Sequence, residues 1–314
     1  MDNSQVNLAR LTARVSETHL RLRLGIERHR EHRIFGQGRS FFHIENSNLV
    51  RSLVEWSLRL TLFAGRARRN TLAFQITENG LRLPTLPDGL EGLTILQLSD
   101  LHLDVDDTFT GALSEAVHDL TYDLCVLTGD FRYLTYGPWQ PATDALRRLR
   151  THLSTPVYAV LGNHDSIEMV PDMEDMGIQV LLNESLRVEW GGAHIHLAGI
   201  DDPHYFCTDN IEEACRDIPA DTVSLLLAHS PEIYRHAAHA GFDMLLCGHT
   251  HGGQIRLPGG FPLILNARCP RRYCGGAWRY AKMQGYTSLG TGSSVAQARF
   301  NCPPEITLHR LERG

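Results

Sequence analysis

Short apolar runs, each closed by polar or glycine-rich residues, recur along most of this chain. They fall at 93–98, 124–128, 157–161, 195–200, 223–228, 244–247 and 306–310. Runs of this length bounded by turn residues read as strands. Between them, 111–120, 141–153 and 231–240 carry helical patterns, the first and last bounded by glycine or proline. Strands alternating with helices predict an α/β fold in layers, with functional residues on the loops at strand ends.

The first seventy residues follow a different pattern. Leu49, Leu53, Trp56, Leu60 and Phe63 recur at helical spacing, with Arg51, Glu55 and Arg59 on other faces and Arg66, Arg68 and Arg69 directly after. Leu8, Leu11, Val15, Leu22 and Ile26 suggest an earlier docking or dimerisation helix. Charge sharpens the division. Residues 1–70 hold thirteen arginines and no lysine against six acids, +7, while the remainder carries −13 and the whole chain −6. We therefore expect a basic, helical extension over 1–70 and a catalytic domain over 71–314. A basic amphipathic helix bearing tryptophan suits an anionic membrane surface. The same stripe equally suits a helix docked on the catalytic domain. An arginine-rich arm also raises nucleic acid, but no recognition motif or aromatic stacking pattern accompanies it, and no nucleic-acid partner is expected.

Five short motifs occupy the ends of the strand-like runs. They are Asp100-Leu101-His102, Gly129-Asp130, Gly162-Asn163-His164-Asp165, Ala228-His229-Ser230 and Gly248-His249-Thr250-His251. Together they offer four imidazoles, two carboxylates and one amide, a nitrogen and oxygen set suited to transition metals rather than to magnesium or calcium. Asp100, His102 and His251 are assigned to one ion, Asn163, His229 and His249 to a second, and Asp130 to the bridge. If both segments are extended, Asp100 and His102 point the same way, as do His249 and His251. Two divalent transition metals are expected (manganese, iron or zinc, with manganese favoured).

These motifs resemble the pattern of the calcineurin-like metallophosphoesterase superfamily. The segments Leu98-Ser99-Asp100-Leu101-His102, Gly248-His249-Thr250-His251-Gly252-Gly253-Gln254-Ile255-Arg256 and Pro303-Pro304-Glu305-Ile306-Thr307 are most similar to its bacterial, often membrane-associated phosphohydrolases. The resemblance covers about residues 70–314. It implies a four-layer αββα sandwich and hydrolysis of a phosphodiester or diphosphate by a hydroxide bridging two metals. It extends to UDP-2,3-diacylglucosamine hydrolases of lipid A synthesis, so a lipid-linked substrate leads, with a soluble phosphodiester or cyclic nucleotide as runner-up. A binding scaffold that has lost catalysis is the non-enzyme alternative, set against a full complement of ligands. Protein Ser/Thr phosphatases carry Asp-Arg-Gly downstream of Gly-Asp, whereas this chain reads Gly129-Asp130-Phe131-Arg132-Tyr133. The acidic residue that bacterial relatives often place a few positions later is missing too.

His164 is the candidate general acid, with Asp165 orienting or charging it. A histidine that only hydrogen-bonds a ligand is the plainer alternative. Arg132 is a candidate phosphate clamp or a solvated loop residue. The arginine- and aromatic-rich stretch 256–281 either borders the cleft and grips a diphosphate or sugar, or packs the sandwich edge. Cys269 and Cys274 within it suit a metal or a bridge, with reduced thiols the default for the seven cysteines. Thr291-Gly292-Ser293-Ser294 lacks the lysine of a nucleotide loop. Charges interrupt every twenty-residue window, and no signal peptide is evident, so a cytoplasmic protein, peripheral on the inner membrane face, is expected.

Overall fold

A computed structural model of the chain describes residues 3–30, 52, 53, 56, 58, 60, 63–154, 156–262 and 264–314. Two six-stranded sheets form its centre. The first runs, in spatial order, β1 (Gln75–Leu83), β12 (Glu305–Arg313), β2 (Thr94–Leu98), β3 (Leu124–Leu127), β4 (Val157–Ala159) and β5 (Ile178–Val180). The second runs β10 (Gly276–Tyr280), β11 (Met283–Thr287), β9 (Met244–Cys247), β8 (Ser224–Leu227), β7 (Ala193–Gly199) and β6 (Glu184–Trp190). Strands β2 to β5 are parallel, as are β11, β9, β8 and β7.

Period-two alternation divides the core into layers. In β2, Ile95 packs with Leu197, Leu225 and Met244 between the sheets, whereas Leu96 and Leu98 face helices on the outside. Those helices are α4 (Asp107–His118), α5 (Gln140–Arg150) and α6 (Val170–Asp175), which bury Leu113, Leu146 and Met173. Across the molecule α7 (Ile211–Cys215) and α8 (Tyr234–Ala240) bury Ala214 and Ala237 on the other sheet. The result is a four-layer αββα sandwich.

The seven expected strands and three helices are present, with ends shifted by a few residues. Five strands were not expected. β1 contains Asn79-Gly80, a turn signal in sequence, yet it pairs in parallel with β12 over its whole length. β10 and β11 form an antiparallel pair, so the far end of the 256–281 stretch is sheet rather than loop. All seven cysteines are free thiols, and the Cys269 and Cys274 sulfurs lie 3.6 Å apart.

The N-terminal helices pack on the sandwich. α1 (Asn3–Arg14) lies against α6, burying Leu11, while Arg14 donates to the Val180 carbonyl at 2.9 Å and pairs with Glu174 and Glu184. Ser16 breaks the helix and caps α2 (Glu17–Arg30), its Oγ accepting from His19 N at 3.1 Å. That break resets the helical phase. Leu20 and Arg23 are consequently buried, whereas Leu8 and Leu22, grouped with Leu11 in the sequence reading, face solvent. Of the later stripe, Leu49 lies outside the described residues. Leu53 and Trp56 are each 61% exposed and Leu60 77% exposed, so these three are not docked on the sandwich. Phe63 meets Phe300 edge-on at 5.9 Å, just before α3 (Ala64–Asn70).

One polar chain crosses the inter-sheet core. Gln97 Nε2 donates to Thr128 Oγ1 and to the Cys247 carbonyl of the opposite sheet, at 3.1 and 3.0 Å. His309 Nε2 donates to Gln97 Oε1 at 2.9 Å, and Asn79 Nδ2 donates to His309 Nδ1 at 3.0 Å. Only neutral imidazole fits this arrangement, and burial pushes the His309 pKa down to about 3. The unfolded chain takes up this proton below about pH 6.5, the folded chain only near 3. His309 therefore costs stability as pH falls through that window, with a slope approaching ~1.4 kcal/mol per pH unit. Denaturant unfolding between pH 6.5 and 4 should show a steeper loss in the wild type than in His309→Gln.

Candidate metal centre

Each ligand loop begins where a parallel strand ends. Asp100 and His102 follow β2, Asp130 follows β3, Asn163 and His164 follow β4, His229 follows β8, and His249 and His251 follow β9. The backbone there is not extended. Asp100, His102, Asp130, His249 and His251 all adopt left-handed conformations, with φ between 45° and 73°. This corrects the strand-like geometry inferred from sequence. The side chains share a cavity because the chain kinks at each ligand, at a cost on the order of 1–3 kcal/mol per residue.

Backbone hydrogen bonds hold the kinks. Asp100 N donates to Gly129 O at 3.0 Å, His102 N to Asp130 O at 2.9 Å, and Gly248 N to His229 O at 2.8 Å. Thr291 N and Gly292 N donate to the carbonyls of Ser99 and Asp100 at 2.8 and 2.9 Å, which gives the Thr291–Ser294 stretch a bracing role. Asp165 is the main tie. Its two oxygens accept from the backbone N–H groups of Asp130, Gly162, Phe131 and Arg132 at 2.8–3.2 Å, joining the Gly-Asp and Gly-Asn loops. The loops pass so closely that a Cβ on Gly162 would lie 2.2 Å from Asp130 Oδ1, and one on Gly248 would lie 1.8 Å from Ser99 Oγ.

All seven expected ligands converge. Asp100, His102 and His251 form one buried group, and Asp130, His229 and His249 another. Asn163 Oδ1 lies 3.0 Å from His229 Nε2. His102 Nε2 is 3.3 Å from His251 Nε2, and His229 Nε2 is 3.2 Å from both Asp130 Oδ2 and His249 Nδ1. The Nδ1–H groups of His102 and His229 donate to the carbonyls of Arg132 and Thr128, each at 2.8 Å. Both Nε2 lone pairs therefore face inward.

Such a cluster of acceptors demands positive charge. Burial works against a proton on His229, yet Asp130 and Asp100 outweigh it and lift its pKa to about 10. Burial and the neighbouring His204 and His229 keep His249 well below the usual histidine range, and burial with His102 does the same to His251. Asp130 is held well below the usual carboxylate range because His229 and His164 overcome its burial. Burial and the neighbouring Asp130 push the Asp100 carboxyl up, and inward-facing imidazole nitrogens around these two aspartates fit two divalent transition metals.

His164 Nδ1–H donates to the Tyr133 carbonyl at 2.5 Å, leaving Nε2 3.8 Å from Asp130 Oδ2 at the cluster's edge. Arg132 is buried, its Nε donating to His164 O at 2.6 Å and its Nη1 to Gly137 O at 2.8 Å. Its guanidinium thus shapes the loop that carries His164.

Two buried side chains here escaped sequence reasoning. Arg299 donates to the carbonyls of Leu289, Gly290 and Gly292, with Nη2 3.3 Å from His251 Nδ1. No periodic pattern marks it. His204 lies 4.1 Å, ring to ring, from His249 and pairs through Nδ1 with Glu232 at 2.8 Å. Asp201-Asp202-Pro203-His204 follows the 195–200 run much as the ligand motifs follow theirs, and that signal was available.

The sequence profile of the calcineurin-like phosphoesterases matches residues 93–253, which include all seven converging ligands. The chain belongs to this family. It is a metal-dependent phosphohydrolase. Similar relatives include the uncharacterized metallophosphoesterase YkoQ of Bacillus subtilis, 30% identical over 79% of this chain and 94% of its own length. Phosphodiesterase YaeI of Escherichia coli is 28% identical over 73% of the chain and 86% of its own length. A Bos taurus transmembrane protein with a metallophosphoesterase domain is 32% identical over 71% of the chain, which spans about half of that protein, 53%.

The crowding at Gly248 makes a direct test. Gly248→Ala should push Ser99 and the Asp100 carboxylate away from residue 248 and lower metal content at least about tenfold in elemental analysis of the folded protein.

Proposed function

We propose that this phosphohydrolase cleaves a phosphodiester or diphosphate in a lipid-linked substrate of the UDP-2,3-diacylglucosamine type, at the surface of an anionic membrane on the cytoplasmic side. The observation that carries the reading is the exposed apolar stripe Leu53, Trp56 and Leu60 beside a basic helix. Arg66, Arg68 and Arg69 lie on α3 immediately after it, and burying such a stripe in a headgroup layer is favourable. Leu257, Phe261 and Ile264, downstream of the His251 loop, are exposed apolar residues as well, with Arg271 4.7 Å from the Phe261 ring. A cavity of about 370 Å³ is lined by Leu58, Ala64, Val105 and Ala296 together with the Arg68–Asp106 ion pair and Gln297, and Val105 lies three residues beyond His102. Among the described residues no helix is long and apolar enough to cross a membrane.

Two dications, manganese favoured, supply a nucleophilic water and neutralise the phosphoryl oxygens when bound. Asp100, His102 and His251 would hold one, Asn163, His229 and His249 the other, and Asp130 would bridge them. His164 acts as general acid. Tyr133 O fixes its Nδ1–H, which leaves Nε2, 3.8 Å from Asp130 Oδ2, as the nitrogen that would protonate a leaving oxygen. Asp165 and Arg132 hold the loop that aims it. The similarity to phosphodiesterase YaeI supports a diester as substrate class, and a soluble phosphodiester is the second reading.

Metal-stripped protein reloaded with manganese should hydrolyse bis-p-nitrophenyl phosphate and UDP-2,3-diacylglucosamine, with Asp130→Ala inactive on both. It should also sediment with phosphatidylglycerol vesicles, and Trp56→Ser should not. Turnover of the chromogenic diester alone, without vesicle binding, would move the assignment to a soluble diester. His164→Ala should retain metal but lose roughly 10²–10⁴ in kcat on a poor leaving group, and much less on nitrophenolate, which departs unprotonated. Equal losses on the two substrates would remove the acid role.

A further inference from the structure

Arg23 of α2 is 0% exposed although it is charged, and it lies at a junction of the two sheets. Its Nη2 donates to the carbonyl of Asp165, the residue after His164, at 3.0 Å. Its Nε lies 3.3 Å from Asp201 Oδ2, at the end of β7 in the other sheet. Its guanidinium carbon sits 3.3 Å from the centre of the Phe206 ring. One turn along the helix, Glu27 lies 3.5 Å from Arg23 Nη1 and accepts from Ser166 Oγ at 2.6 Å and Ile167 N at 2.9 Å. His19, one turn earlier, places Nε2 3.1 Å from Asp201 Oδ2.

These partners belong to two segments that reach the metal centre from opposite sheets. Residues 165–167 continue the loop carrying Asn163 and His164. Asp201 leads into the turn built on Asp202, which accepts from the backbone N–H groups of His204, Tyr205 and Phe206 at 2.6–3.1 Å and presents His204 to His249. Burial pushes the Asp201 carboxyl up, but Arg23 and the bond to His19 outweigh it and hold it below the usual carboxylate range. A planar fork can reach a carbonyl and a carboxylate at once, whereas a single ammonium is a point charge.

We propose that Arg23, supported by Glu27, is a positioning residue for the metal centre, and that α2 is a strut fixing the Asn163–His164 loop of one sheet against the Asp201–His204 turn of the other. The N-terminal extension is then part of the catalytic apparatus as well as a candidate membrane contact. The inference rests on the metal-centre reading above.

The test uses the full chain. Wild type, Arg23→Ala and Arg23→Lys are stripped with a chelator and titrated with manganese, then assayed on bis-p-nitrophenyl phosphate, with melting temperatures recorded beside. Both variants should lose about 10–100-fold in manganese affinity or in kcat per folded molecule, with KM little changed. Wild-type manganese affinity and kcat in either variant, however far its melting temperature falls, would overturn the strut and leave Arg23 as a packing residue. Should Arg23→Ala fail to fold, Arg23→Lys decides, because lysine keeps the charge but cannot hold Asp165 and Asp201 together. A wild type that binds manganese yet hydrolyses nothing would sink the phosphoesterase reading, and manganese affinity alone would then judge the strut.

Discussion

The structure depends on bringing carboxylates and imidazoles to within about 3–4 Å of one another in a buried site. The His229–Asp130 pair attracts, but it alone does not set the positions of the other groups, so the shape of the cluster has to be imposed from outside. Asp165 does most of this, because four backbone N–H groups on two loops converge on one carboxylate. Arg299 and the Gly290–Gly292 turn brace the Asp100 side, and Arg132 braces the His164 side. These supports are buried polar groups whose hydrogen bonds are directed at main chain, and main-chain amides and carbonyls are fixed points that rotamer changes cannot move.

What sequence revealed divides along a physical line. The converging candidates are legible because metal chemistry restricts residue type, and Asp100, His102, Asp130, Asn163, His229, His249 and His251 each sit at the end of an apolar run that sets their depth in the fold. Backbone conformation at those positions is not legible. Aspartate and histidine tolerate positive φ without announcing it, so Asp100 and His102 looked extended. The missed strands have a similar cause. β1 stays in register through Asn79-Gly80 because its partner β12 lies far away in sequence, and no local pattern encodes that pairing. Arg23 was invisible for the same reason, since in an arginine-rich segment nothing local separates its buried guanidinium from the exposed one of Arg21 two residues earlier.

The N-terminal segment therefore contains two kinds of surface. α1 and α2 are structural, joined to the sandwich by Leu11, Leu20 and Arg23. Leu53, Trp56 and Leu60 instead carry apolar surface outward, while Leu58 packs against the Ala67, Ala296 and Ala298 cluster. A single charge imbalance over seventy residues concealed this division: Arg14 and Arg23 satisfy acceptors on the sandwich, whereas Arg66, Arg68 and Arg69 of α3 are exposed.

The position of β12 sets an order of events for a growing polypeptide. This strand lies between β1 and β2, and its neighbourhood includes the Thr291–Gly292 brace of the Asp100 turn. Every metal ligand has left the ribosome well before residues 305–313 appear, yet β1 has no partner and β2 only one until they do. During that interval the ligand motifs exist on an incomplete sheet with open edges, exposed to chaperones and to competing metals. Only when β12 docks are the sheet and the brace on the Asp100 turn complete, so the candidate ligands reach their final geometry last of all.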